Sequence, residues 1–183
     1  LWAYQRLQPQ NYNQIIIFST NHQSHRTTIP KSNHIDIESL GRQFQLRYSS
    51  QLKKSLYKSD LDFSREHSWL SHLPFLNLFY PDNKSFTLSI YLVGQDFQTL
   101  IQHYQSRKYW SKRTLFLFNT DLLHCGPNYG NYCPKTSNEL DDINQQTLQS
   151  IQDLHSSRLR RDNLCGYNVI QLFIQLSLIH NWK

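Results

Sequence analysis

The sequence predicts an α/β protein, a three-layer αβα sandwich around a mainly parallel or mixed sheet. Three apolar runs rich in β-branched and aromatic residues, at 14–19, 86–93 and 115–118, indicate buried strands. Segments with helical spacing of apolar residues lie between these runs and after the last one. Strands that alternate with helices are typical of a sheet covered by helices on both faces.

The length and composition are those of one folded domain. A chain of 183 residues is long enough for a sizeable core. Hydrophobic residues make up only 38% of the chain, but aromatic residues make up 14% and supply buried area that aliphatic residues do not. No apolar run approaches the ~20 residues that a membrane-spanning helix needs, and no signal peptide is visible near the start of the chain.

The first half of the chain alternates between helical segments and loops around a single strand. The predicted elements are the end of a helix (1–7), the first strand (14–19), a polar loop (20–34) and a helix (49–58). Residues 66–79 carry apolar residues at helical spacing, with Pro74 as a kink or an early break of that helix.

The second half contains the other two strands. Its elements are a strand that ends at Gly94 (86–93), a helix (96–106), a strand (115–118), an irregular loop (127–134) and a final apolar helix (166–182). Before that last helix, Thr136 and Glu139 have the spacing of a capping box and predict a helix that continues to about Leu154.

The basic residues are interpreted as solvated surface. The net charge is +6, and the Lys and Arg residues gather at Lys53-Lys54, Arg107-Lys108, Lys112-Arg113 and Arg158 to Arg161. A cluster of this kind is one sign of a nucleic-acid partner. Here the clusters are scattered and accompany no RNA-binding or zinc-finger pattern, so solvated helix faces are the preferred explanation and no nucleic-acid partner is expected.

The cysteine residues indicate the cellular compartment of the protein, and the first residues indicate whether the domain is complete. The three cysteines do not have the number or spacing of a disulfide framework, which argues for a reducing compartment. We therefore expect a cytoplasmic protein. The chain contains no Met and opens on Leu1 to Tyr4, which has the character of the middle of a helix. We expect residues 1–183 to be a single but incomplete domain, a fragment of a longer one.

Four places in the chain hold residues that bind metals or move protons. They are Asn21-His22, Glu66-His67, Asp121 with His124, and Cys165-Gly166. Each follows or begins a predicted element, so each can face one cleft, as happens at the carboxyl ends of strands in open sheets. Imidazole, thiolate and carboxylate are suitable ligands for iron, copper or zinc.

Each of these residues also has a plainer explanation. A single His is more often exposed or hydrogen-bonded than a ligand, and Cys165 alone is more often a small buried hydrophobe. In one interpretation Asp121 caps the loop and His124 hydrogen-bonds the backbone. In the other, Asp121 orients His124, which acts as a general acid–base. Glu66-His67 equally fits a helix N-terminus.

Five collinear segments strengthen the interpretation of one shared site. Residues 66–75, EHSWLSHLPF, resemble the EHSxEx(H/Q)LP(F/Y) segment of the Memo family, also called AmmeMemoRadiSam system protein B. The other four segments are similar to the family's strand with GPSH (15–22), LVG (92–94), SSDxxH(W/Y)G (119–126) and CGxx(P/A)I (165–170).

The resemblance implies the αβα fold of the class III extradiol dioxygenases. In those enzymes two His and a Glu hold Fe(II) and a further His is the acid–base; in the Memo family a Cys stands in place of the Glu. The resemblance implies an iron or copper site that performs oxidation or reduction. The residues expected at it are His22 and Cys165 as metal ligands, His124 and Asp121 as the catalytic pair, and Asn21, Glu66 and His67 in the surrounding cleft.

The chain departs from the family pattern at several points, and we expect the N-terminal and C-terminal parts of the family domain to be absent from residues 1–183. The first metal-site His of the family lies upstream of the matching region and nothing replaces it, Leu70 stands where the family has a second Glu, and Ser19-Thr20 stand where it has Gly-Pro. The alternative function is therefore a catalytically inactive module on the same fold, which binds a peptide or protein in a cleft lined by Trp69 and Tyr129.

Overall fold

A five-stranded sheet forms the middle layer of the computed structural model, which describes residues 11–37, 41–80, 86–123 and 133–182. The strands in these ranges are β1 (Gln14–Thr20), β2 (Thr28–Ile29), β3 (His34–Ile37), β4 (Arg42–Gln45), β5 (Tyr57–Lys58), β6 (Thr87–Val93) and β7 (Thr114–Phe118). The sheet order is β5-β2-β6-β1-β7, and β3 and β4 form a separate antiparallel pair. β1 is parallel to both β6 and β7, whereas β2 is antiparallel to β6, so the sheet is mixed.

Helices cover the sheet in the described ranges. They are α1 (Ser50–Ser55), α2 (Asp60–Arg65), α3 (Leu73–Phe79), α4 (Gln98–Tyr104), α5 (Ser137–Gln152) and α6 (Tyr167–His180). None of the helices in this part of the chain is long and apolar enough to cross a membrane.

The alternating side chains of β1 enter two different hydrophobic cores. Ile16 and Phe18 pack in one core with residues of α4 and α6, and Ile15 and Ile17 pack in the other with residues of α2 and α3. Successive side chains of a strand point to opposite faces of a sheet, so a run of four fully buried apolar residues requires helices on both faces. The predicted three-layer sandwich is thereby confirmed.

The strands follow the predicted apolar runs closely, and the helices differ more. The helix expected over 49–58 ends at Ser55, and β5 follows it. The helix expected over 66–79 begins only at Leu73, so Pro74 lies in its first turn and neither kinks nor breaks it. β2 lies inside the predicted polar loop of 20–34.

The end of the chain contains the expected pair of helices. Thr136 caps α5 by accepting a hydrogen bond from the Glu139 backbone N–H at 3.2 Å, as the capping-box pattern predicts. The Glu139 carboxylate accepts from the Lys135 N–H at 2.8 Å. The helix predicted at 1–7, and His124 with most of the loop predicted at 127–134, lie outside the described residues.

Candidate functional site

The site lies where β1 and β7 leave the sheet. These parallel neighbours are in register up to Phe18 and Phe118. His22 therefore follows the end of one strand and Asp121 the end of the adjacent one, at the same edge of the sheet. This is the edge at which open α/β sheets collect ligands and catalytic groups.

Glu66 holds His22 through both its side chain and its backbone. The Nδ1 atom of His22 lies 3.1 and 3.0 Å from the two carboxylate oxygens of Glu66. The His22 backbone N–H donates to Glu66 Oε2 at 2.9 Å, and the N–H groups of His67 and Ser68 donate to Oε1 at 3.1 and 3.2 Å. The Glu66 side chain is fully buried, whereas the His22 side chain remains 40% exposed, so the carboxylate lies behind the imidazole and fixes its orientation.

Contacts within the site shift the pKa values of both His22 and Glu66. Hydrogen bonding to Cys165 first, and to Glu66 second, favours the charged imidazole and raises the pKa of His22 from 6.5 to about 10. Burial by itself would raise the pKa of Glu66, but hydrogen bonds from His22 and from the backbone outweigh burial and lower it from 4.5 to about 2. At neutral pH the pair is therefore an imidazolium and a carboxylate.

Cys165 is tied to the residue that ends the neighbouring strand. The Cys165 N–H donates to the Asp121 carbonyl at 3.3 Å, and the Asp121 N–H donates to Cys165 Sγ at 3.3 Å. The thiol also lies 3.7 Å from Asp121 Oδ2. The thiol also favours the charged form of the His22 ring. We name residues 22, 66, 121 and 165, two hydrogen-bonded pairs linked by this effect on the pKa, the His–Glu–Cys–Asp cluster.

Gly166 brings α6 against the end of β7. Its backbone N–H donates to Thr120 Oγ1 at 2.9 Å. A Cβ atom on Gly166 would lie 2.5 Å from that oxygen and 2.6 Å from the Thr120 Cβ. Only glycine permits this approach, which sets the position of Cys165 at the start of the helix.

A polar cleft of about 120 Å³ opens beside the cluster. It is lined by Thr20, His67, Ser68, Ser71, Asn119, Thr120, Asp121 and Cys165. The polar cleft includes His67, whose side chain is 84% exposed. The sequence did not identify Asn119 or the Ser and Thr residues of this lining as site residues. The available signal was the position of Asn119-Thr120, directly after a buried strand.

Asn21, expected in the cleft, makes its hydrogen bonds within the loop after β1. The Asn21 amide donates to the Arg26 carbonyl at 2.9 Å and to Thr28 Oγ1 at 3.1 Å, and its oxygen accepts from the N–H groups of Gln23 and Ser24 at 3.0 and 3.1 Å. Asn21 thus organises the loop after β1, and neither Asn21 nor Glu66 is among the residues that line the polar cleft. Among the described ranges, no group of three or more His, Cys, Asp and Glu side chains is arranged to hold a metal ion.

The fold and the cluster define an αβα sandwich protein with an imidazole, a carboxylate and a thiol at the carboxyl edge of its sheet. Comparison with protein families gives a match over residues 2–181 to the Memo-like protein family. The chain therefore belongs to the Memo-like proteins. A comparison with curated proteins gives no match.

Proposed function

We propose that this protein binds copper or iron through His22 and Cys165 and uses the bound metal for redox chemistry. The observation that carries the proposal is the contact of both Glu66 oxygens with Nδ1 of His22, at the same edge of the sheet as the Cys165 thiol that Asp121 holds. With both Glu66 oxygens on Nδ1, Nε2 is the nitrogen left for a ligand bond. A metal-binding His whose other nitrogen is hydrogen-bonded to a carboxylate is a common arrangement.

The donor chemistry favours copper in its reduced state. Thiolate and imidazole together suit Cu(I), whereas non-haem Fe(II) sites of the facial-triad kind require three protein ligands. The His–Glu–Cys–Asp cluster offers one imidazole and one thiolate as soft or borderline donors, which supports copper over iron. When bound, the metal would supply one-electron chemistry.

The protein's own residues orient the two donors. Glu66 keeps a proton on Nδ1, and Asp121 positions the Cys165 sulfur, which accepts from its N–H at 3.3 Å and donates to its carboxylate at 3.7 Å. Both donors must lose a proton on binding, so metal uptake releases protons and is stronger at higher pH. Asp121 and His124 remain the proposed proton-transfer pair, a role that rests on the family resemblance.

Metal content is the direct test. Purified protein is loaded anaerobically with Cu(I) or with Fe(II) and passed through a desalting column, and bound metal is then measured. His22→Ala and Cys165→Ala should each lose most of the metal, while His34→Ala, which changes an exposed imidazole on β3, should keep it. Equal metal content in all the proteins would refute the proposal.

A second candidate function is peptide binding at a separate apolar cleft. This cleft has a volume of about 390 Å³ and includes Pro30, Ile35, Phe63, Trp69 and Leu70. It is larger than the polar cleft, and clefts lined mainly by apolar side chains are usual binding sites. Trp69, expected to line a peptide cleft, is 4% exposed and donates from Nε1 to the Phe63 carbonyl at 3.3 Å.

Selection of peptides from a displayed library tests this second function. Peptides recovered on the wild-type protein should lose binding to Leu70→Lys, which places a charge at the edge of the apolar cleft. They should keep binding to Leu178→Lys, which makes the same change at an exposed position on α6. Equal loss with both variants, or no recovered sequence, would contradict it.

A further inference from the structure

We propose that the polar cleft is a binding site for a small protonated amine, held by the oxygen atoms that line the cleft. The proposal rests on the proposed function in that it uses the same cleft beside Cys165, but it does not require a metal to be bound. Several side chains that line the cleft donate their hydrogens to backbone carbonyls, and their oxygens keep acceptor capacity.

The hydroxyl hydrogens of three lining residues are committed to the backbone. Ser68 Oγ donates to the Thr20 carbonyl at 3.3 Å, and Ser71 Oγ donates to the Ser68 carbonyl at 2.9 Å. Thr120 Oγ1 donates to the Asp121 carbonyl at 3.1 Å. A hydroxyl has one hydrogen and two lone pairs, so these groups have acceptor capacity left for a ligand and no hydrogen to donate.

Asn119 and Asp121 add further acceptors. The Asn119 amide nitrogen donates to the Ser68 carbonyl at 2.6 Å, which anchors the nitrogen on the backbone and leaves the amide oxygen at the other end of the group. Asp121 contributes a carboxylate, which only accepts hydrogen bonds when ionised. The polar cleft therefore offers several acceptors and one carboxylate, beside two lining groups that carry donors, the His67 imidazole and the Cys165 thiol, which already donates to Asp121 Oδ2 at 3.7 Å.

Thr20 supplies a buried hydroxyl whose hydrogen-bonding capacity is unused. The residue is 9% exposed and lines the polar cleft, and its Oγ1 atom has no hydrogen-bond partner within the described residues. Buried polar groups in folded proteins are nearly always paired. This oxygen is itself buried, so it marks an unsatisfied polar group in the wall of the cleft, and a hydroxyl there can both donate and accept.

Charge and size narrow the class of ligand. The positive charge of His22 is already paired with the buried Glu66 carboxylate, which leaves the Asp121 carboxylate to select a cation. A volume of about 120 Å³ admits a molecule of only a few heavy atoms. A primary ammonium group offers three N–H donors in a compact volume, which matches this set of acceptors, whereas an anion would face the carboxylate.

Propylammonium and 1-propanol are suitable probes because they have similar shapes and differ in charge. Binding is measured on metal-free protein by titration in two-dimensional NMR. We expect saturable shifts with propylammonium, with a dissociation constant in the millimolar range, and much weaker binding of 1-propanol. Asp121→Asn should weaken propylammonium binding roughly tenfold. Asp162→Asn removes the same charge from an exposed position in a neighbouring hollow and should leave the affinity unchanged.

Three results would overturn the proposal: no saturable binding of propylammonium, equal binding of the two probes, or equal affinity of wild type and Asp121→Asn. Metal loading of the same proteins separates this inference from the proposed function. Protein that takes up metal but fails to select the ammonium ion refutes the amine site alone. Protein that selects the ammonium ion and takes up no metal refutes the metal site alone.

Discussion

Gly166 packs so closely against the Thr120 side chain that position 166 has no room for a side chain of its own. The Gly166 N–H donates to Thr120 Oγ1 at 2.9 Å, and a methyl group on Gly166 would lie 2.5 Å from that oxygen. This contact joins the start of α6 to the end of β7, and the cluster cysteine is the residue immediately before it. The position of the thiol therefore depends on a glycine that has no chemistry of its own.

Gly166→Ala should destabilise the protein and displace Cys165. We expect a loss of about 1–3 kcal/mol in the free energy of unfolding, because the new methyl group forces Thr120 and its neighbours apart. Urea denaturation measures this loss. In Gly166→Ala/Thr120→Gly the clash with the threonine side chain is absent, so the double variant should be more stable than the sum of the single changes predicts. Additive losses would show that the close approach does not limit stability.

The stability of the protein should fall as pH rises from neutral to alkaline values. The pKa of His22 is about 10 in the folded protein, above its usual 6.5. A raised pKa means that the folded state binds the proton more tightly than the unfolded state. The stabilisation from His22 is thus fully present below pH 6.5 and is lost as pH rises towards 10. Unfolding free energies of wild type and His22→Gln measured across this range should converge, and parallel curves would contradict the prediction.

Glu66→Ala should be more destabilising than Glu66→Gln. Alanine leaves the N–H groups of His22, His67 and Ser68 without their carboxylate acceptor. Unpaired buried donors cost about 1–3 kcal/mol each when water cannot reach them. Glutamine keeps one acceptor oxygen and should retain part of the stability. Chemical denaturation at pH 7 compares the two, and equal losses would mean that the negative charge alone matters.

His103 should make the fold sensitive to acid. Burial, with a further effect of the nearby Lys108 charge, lowers the pKa of His103 from 6.5 to about 4. Its ring stacks on Tyr109 with centroids 3.6 Å apart. The folded state therefore binds this proton less well than the unfolded state, and stability present above pH 6.5 is lost as pH falls towards 4. Thermal unfolding of His103→Gln should depend less on pH in this window than wild type does.

The three-layer architecture could be predicted because the central strands are recognisable from their continuous apolar sequence. The run Ile15-Ile16-Ile17-Phe18 is apolar at every position, and a strand of that kind is buried on both faces. The two-residue strands β2 and β5 could not be predicted, because so short a segment has no periodicity. Their pairing depends on neighbours that are distant in sequence.

The candidate site could be predicted only in part. His22 and Cys165 were proposed from motifs, and the structure pairs His22 with Glu66 and Cys165 with Asp121 at the same edge of the sheet. The role of Glu66 as a buried partner of His22 could not be derived, since the Glu-His-Ser segment also fits an exposed helix terminus. Hydroxyl groups such as those of Ser71 and Thr20 carry no sequence signal, because their importance comes from which carbonyl groups they reach in three dimensions.

The late place of Cys165 in the chain orders the assembly of the site during synthesis. The Glu66–His22 contact joins residues 44 positions apart, and both residues precede Cys165 by about a hundred positions or more. The sulfur arrives only when α6 docks on the finished sheet. A nascent chain that still lacks α6 therefore presents the Glu66–His22 pair without the Cys165 thiol.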